Sequence, residues 1–282
     1  MNAAQLQSAR KMKRTQMILF FIVLLALIIW SSIGAEFSLG TLFAGVGESF
    51  RFIIFDFLPP DLSSLSQLIE PALQTLYMSM VAMVIGSIVA GMLSFLAAAT
   101  TSPHPYLQVF VRAATSLFRN IPVIIWTILL VAAFGLGAVV GTMSLILISI
   151  GMLTRSFAEV LEEIDMGQVE AVRAAGGSYF QVLSQAVFPQ FLPGFIGWSL
   201  YNFEINVRAS TIVGMVGGGG LGFILQSKLK LFQYQEASMA VLLVLVIVLV
   251  VETITNRVRK RSNHLRCILP SQSHPSRKGA SY

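Results

Sequence analysis

Long charge-free apolar runs, separated by short polar or glycine/proline breaks, set the pattern of this chain. Thr15–Ala35 is uncharged, is long enough to cross a hydrocarbon core of about 30 Å, and follows Arg10, Lys11, Lys13 and Arg14. A cleaved leader is disfavoured, because Ile33 would occupy the −3 position of the best small-residue site before Glu36. Residues 36–70 read as a polar connection with Glu36, Glu48, Asp56, Asp61 and Glu70 against one base, Arg51. The Leu58-Pro59-Pro60-Asp61 stretch cannot continue a helix. Pro71–Ala98 is expected as a second span, and Thr100–Pro105 as a tight break. A third helix is expected from Tyr106 to Phe134, bent where Pro122 follows Arg119. A fourth runs from Val139 to Phe157 and on into acidic residues 159–165, a fifth from Leu192 to Val207, and a last from Ala237 to Thr255.

The pattern makes this an all-α integral membrane protein with about six transmembrane helices. Composition agrees: 55% of the 282 residues are hydrophobic and 11% charged, against about 25% charged in soluble domains. The net charge of +6 sits beside apolar segments, so it speaks for topology rather than nucleic-acid binding. Four basic residues precede the first span and seven follow the last (Arg257, Arg259, Lys260, Arg261, Arg266, Arg277, Lys278), which puts both termini in the cytoplasm. The expected division is a basic arm over 1–14, a transmembrane domain over 15–256 with a cytoplasmic loop at 158–190, and a basic, mobile tail over 257–282. One cysteine, Cys267, excludes an intrachain disulfide, and no Cys/His cluster has metal-ligand spacing.

Three stretches carry candidate chemistry. In the cytoplasmic loop, Glu170, Ala171, Arg173, Ala174 and Gly176 form a short helix-and-turn pattern closed by Pro189. The alanines would let a docking helix seat closely. Gly176 can take φ > 0 and reverse the chain, Glu170 is expected near the positive helix end, and Pro189 is expected to stop the next helix from extending backwards. Between the last two spans lies Gly214-Met215-Val216-Gly217-Gly218-Gly219-Gly220-Leu221-Gly222, a literal G-x-G-x-x-G without the strand, acidic partner or Gly-Lys-Ser/Thr that a nucleotide site needs. Gly217, Gly218, Gly219 and Gly220 are read either as a close-packed turn or as non-helical backbone lining a pathway, with N–H groups available to an anion. Glu204 and Arg208 share a helix face at i, i+4 and can pair. Arg208, placed near the outer half of its span, could also favour a passing oxyanion, with Asn206 beside it. Glu204 is the sole candidate for an ion-coupled secondary transporter, and no H-E-x-x-H or G-x-S-x-G motif points to an intramembrane enzyme.

The loop Glu170-Ala171-Val172-Arg173-Ala174-Ala175-Gly176, followed nine residues later by Ala186-Val187-Phe188-Pro189, resembles the E-A-A-x-x-x-G…I-x-L-P coupling loop of ABC importer permeases. Val172, Ala186 and Phe188 depart from that pattern. The segments Phe57-Leu58-Pro59-Pro60-Asp61, Arg119-Asn120-Ile121-Pro122 and Asn206–Gly217 are similar to the phosphonate-type branch, over residues 17–258. The resemblance implies the type I permease fold in a bacterial inner membrane and inward movement of phosphonate, phosphite or phosphate. It also implies these partners: two ABC ATPase subunits holding the ATP and Mg, a periplasmic or lipid-anchored binding protein, and a second permease, expected as a homodimer. This chain itself is expected to bind no cofactor. A permease for another small solute, such as an amino acid, is the alternative within the same family.

Overall fold

The computed structural model describes residues 3–268, all of whose regular elements are helical. Two units divide the chain, Met1–Asp56 and Phe57–Tyr282. The first holds α1 (Ala3–Gly34) and α2 (Leu39–Arg51). Within α1, Met12–Gly34 is long and apolar enough to cross a membrane. The helix ends where Ser32 bonds Phe37 in both directions: its Oγ donates to the Phe37 carbonyl at 2.9 Å and its own carbonyl accepts the Phe37 N–H at 2.9 Å. The polar connection expected over 36–70 is in part helical. α2 carries Phe43, Val46 and Phe50 at helical spacing, and no proline interrupts it. The last wide turn, Phe52–Phe57, stops just ahead of the paired prolines.

In the second unit α3 (Leu65–Ala97) is entered through a tight turn at Leu62–Ser64, where the Asp61 carboxylate accepts the Ser63 N–H at 2.9 Å. The Ser63 hydroxyl and N–H hold the Asp61 carboxyl below the usual carboxylate range. The helix starts ahead of Pro71 rather than at it, so Pro71 lies inside the second turn and the Gln67 carbonyl goes without its i+4 donor. Leu68, Ala72, Thr75, Ser79, Ala82, Gly86, Ala90, Ser94 and Ala97 recur every three or four residues and are buried. This stripe of mostly small side chains packs on α6 (Ala138–Glu162), and a Cβ added at Gly86 would lie 2.6 Å from the Ser149 Cβ. In lipid, apolar side chains give helices little reason to associate. Close backbone approach and interhelical hydrogen bonds supply that reason. Both occur here: α9 (Phe188–Val213) joins the pair through Ser87 to Ser199 (2.9 Å) and Asn206 Nδ2 to Ser149 Oγ (3.0 Å).

The expected third span is two helices, α4 (Pro105–Asn120) and α5 (Val123–Phe134), bent by 87°. Ile121 takes the extended conformation (φ −84, ψ 122) that a following proline enforces. Alone, α5 is about 18 Å long, short of a full crossing. Beyond α6 come α7 (Met166–Ala174) and α8 (Tyr179–Val182). A glycine turn separates α9 from α10 (Gly220–Lys230) with a 56° bend. α11 (Tyr234–Ile268) runs unbroken through Asn256, so the start of the expected tail is helical, and 269–282 lie outside the described residues. Among the described residues, four helices can cross a membrane by length and composition, or up to six if each bent pair is one span.

Packing this close leaves no room at particular glycines. A Cβ at Gly222 would fall 1.9 Å from the Thr211 carbonyl oxygen, whereas one at Gly197 would meet nothing within 4 Å. We expect Gly222→Ala to cost about 1–3 kcal/mol, as overpacking does, and Gly197→Ala to be neutral or slightly stabilising. Thermal unfolding of the two purified variants checks this. A Gly222→Ala protein melting with the wild type would refute the close approach.

Candidate functional site

α7 begins with Asp165, whose carboxylate accepts the Gly167 N–H at 2.9 Å. That aspartate, rather than Glu170, serves the positive end of the helix. Glu170 lies beyond the first turn because α7 starts earlier than the motif suggests. Only Val169 of α7 is buried, in a cluster with Leu161, Val182 and Val187. Glu170, Ala171, Arg173, Ala174, Ala175 and Gly176 are exposed. Arg173 also borders a small cavity beside Val169 and Tyr179. Gly176 has φ +81, and the turn is closed by Gly176 N–H to the Arg173 carbonyl (2.9 Å) and Gly177 N–H to the Val172 carbonyl (3.0 Å). The result is a short capped helix held by buried Val169 and half-buried Val172, with its small-residue face open.

Pro189 does not end the helix that follows. α8 passes into α9 through a widened turn at Leu183–Val187, with the Phe188 N–H reaching back to the Leu183 carbonyl. The wide turn accommodates the ring and the missing donor. The helical rod therefore reaches back to Tyr179 instead of Leu192, and this changes where the buried charges lie along it. Arg208 pairs with Glu204, as the i, i+4 spacing predicts, and also with Glu252 of α11 at 3.3 Å. Glu252 is near the basic end of α11 and Arg259 of the same helix sits over the Tyr201 ring. Arg208 thus stands past the midpoint of its own rod, where it ties α9 to α11. Glu204 is 8% exposed and Arg208 50%. The arginine neutralises a carboxylate that would be costly at membrane depth and still presents an open side. Asn206 is elsewhere: 1% exposed, it donates to Ser149 and to Asn202 Oδ1 (3.0 Å) inside the bundle.

The glycine stretch is a tight turn. Gly217, Gly219 and Gly220 have φ of 105, 81 and 68, and Gly217, Gly218 and Gly220 are buried. A Cβ at Gly220 would sit 2.6 Å from the Thr75 hydroxyl, and Gly218 lies against Gly141. The N–H groups that could have met an anion are partly taken. Gly220 N–H donates to Gln74 Oε1 (2.7 Å) and Leu221 N–H to Thr75 Oγ1 (2.9 Å). Gln74, Thr75, Asp165 and Glu252 escaped the sequence reading. The last carried a readable signal, a lone carboxylate inside an otherwise apolar run.

The family described as binding-protein-dependent transport system inner membrane component matches residues 82–264, which include α7 and the glycine turn. The phosphite transport system permease protein PtxC of Stutzerimonas stutzeri is 40% identical over 203 residues, 72% of this chain and 74% of that one. The phosphate-import permease protein PhnE of Mycolicibacterium smegmatis is 38% identical over 205 residues, 72% of this chain and 38% of that longer chain. In fold, the inward-facing MetNI methionine ABC transporter superposes with a TM-score of 0.63 at 22% identity, over 72% of this chain and 99% of that one. The chain belongs to the family of inner membrane components of binding-protein-dependent transport systems, as a multi-pass permease of the ABC importer type I fold.

Proposed function

We propose that two copies of this chain form the membrane path of an importer that carries a phosphorus oxyanion (phosphonate, phosphite or phosphate) into the cell. A separate pair of ATPase subunits holds ATP and Mg and drives the cycle, and a periplasmic or lipid-anchored binding protein delivers the cargo. Both termini and α7 face the cytoplasm in this reading, as the basic arm and tail require. The observation that carries it is α7, a capped helix that buries only Val169 and leaves Ala171, Ala174 and Gly176 open. A groove on the ATPase would take that face. When the ATPases close, α7 transmits the motion through Val169 to the ends of α6 and α8. The choice of cargo rests on the phosphite and phosphate permeases among the relatives. Arg208 is the cation offered to the anion, Glu204 keeps it in place, Asn206 holds α9 to α6, and Gly217–Gly220 let the path wall bend.

ATP hydrolysis in proteoliposomes holding the permease, its ATPase and a loaded binding protein tests the whole reading. Stimulation is expected with at least one of phosphonate, phosphite and phosphate. Stimulation by an amino-acid-loaded binding protein alone would replace the cargo and keep the coupling. For α7, Ala174→Arg places bulk and charge on an exposed position. Uptake should fall to background and the ATPase should no longer copurify, while membrane insertion is unchanged. Normal uptake would remove the coupling role. For the charge cluster, Arg208→Ala should destabilise by about 3–5 kcal/mol, because Glu204 is left buried and unpaired. Pairing it with Glu204→Gln should restore protein level but not transport. Recovery of transport in that double variant would make the pair purely structural.

A further inference from the structure

α4 and α6 meet along a face rich in arginine. Gly151 lets them close: a Cβ there would lie 2.9 Å from the Arg119 backbone nitrogen and from the Thr115 carbonyl oxygen. Toward the α7 end of α6 they enclose a cleft of about 410 Å³, bordered by Arg112 and Arg119 of α4 and by Thr154, Arg155, Glu159 and Glu162 of α6. That volume falls within the range of small-molecule sites, roughly 300–1,000 Å³.

The charges around the cleft do not balance. Arg112 pairs with Glu162, and its Nε also donates to the Ala97 carbonyl at 2.7 Å. Arg155 pairs with Glu159 at 2.7 Å. Arg119 has no carboxylate at ion-pair distance among the described residues. In the same wall is Thr154, 0% exposed, whose hydroxyl has no hydrogen-bond partner. Thr115, in the facing wall, instead bonds back to its own helix, at the Val111 carbonyl (2.8 Å). One surplus guanidinium, two more whose carboxylate partners are partly exposed, and a free hydroxyl make a donor set suited to a tetrahedral oxyanion.

We propose that this cleft binds a phosphate or phosphonate group at the end of the bundle from which α7 emerges. For the identity of the anion it rests on the transport reading above. Its occupant is either a free phosphorus oxyanion or the phosphodiester of a lipid headgroup. The site has a route to α7. Glu162, which Arg112 holds, also accepts the Ala99 N–H at 2.7 Å, and it stands three residues before the Asp165 cap. An anion that draws Arg112 toward itself competes with Glu162 for that guanidinium and loosens the end of α6.

The permease–ATPase complex in nanodiscs, without binding protein, tests the proposal with radiolabelled methylphosphonate. Saturable binding is expected, weakened at least tenfold by Arg119→Gln, kept within a few-fold by Arg119→Lys, and weakened several-fold by Thr154→Val. The ATPase is the same in every sample, so differences report on the permease. In a second arm, phosphatidylglycerol retained after exchange into phosphatidylcholine discs is measured. Retention by the wild type but not by Arg119→Gln, with no methylphosphonate binding, assigns the cleft to a headgroup. Equal methylphosphonate affinity and equal lipid retention in the wild type and Arg119→Gln would overturn the site. If Arg119→Gln fails to assemble, Thr154→Val decides by the same criteria. No transport is measured here, so a permease for another solute would fail the uptake test and could still pass this one.

Discussion

The rest of the structure depends on how closely α3, α6 and α9 approach one another. Oily surface cannot hold helices together in oil, so the chain places small residues where backbones meet. Gly86 lies against Ser149, Gly141 against Gly218, and Gly194 against Val160. At such separations amide and hydroxyl side chains can span the gap, and Ser87–Ser199 and Asn206–Ser149 do so. The Asn206 amide, which the sequence offered as possible pathway lining, is thereby used inside the bundle. Exchange of an Asn or Ser here for an apolar residue would remove direction as well as energy, because these bonds specify which helix faces which.

That rigid centre explains how two flexible-looking segments acquire definite shapes. The glycine stretch has little side-chain volume to hold it, yet Gly217, Gly218 and Gly220 are buried and two of the following N–H groups are bound by α3 side chains. The turn is cast by its neighbours, and its positive φ angles are the reason glycine is required there. The loop helix α7 is the opposite case. α7 is capped at both ends by local residues and tied to the bundle through Val169 and Val172. It can move as a unit with the ends of α6 and α8 while exposing nearly all of its surface. A helix with so few ties of its own is suited to being gripped from outside.

Charge is handled according to depth. Arg112–Glu162 and Arg155–Glu159 sit near the α7 end, where the side chains are partly exposed and each pair alone contributes little to stability. Glu204 is nearly buried, and its arginine also reaches Glu252 on another helix. One cation between two carboxylates links α9 to α11 and leaves the guanidinium half exposed.

Sequence by itself determined the class and the approximate place of the apolar helices. Freedom from charge over twenty residues, the breaks at Pro122 and Gly135-Leu136-Gly137, and the Glu170–Gly176 pattern are local properties that need no partner to be legible. The Glu204–Arg208 pair was equally local, since i, i+4 spacing follows from helix geometry alone. Tertiary structure decided what depends on distance between segments. Proline could be read as a stop or as a guest in a widened turn, and the structure has the second, with Val182 and Val187 in one apolar cluster with Leu161 and Val169. Glu252 and Arg208 are 44 residues apart in sequence, and Gln74 and Gly220 are 146 apart. No periodicity announces such contacts, because they arise from the crossing of helices whose faces, not whose sequences, are complementary.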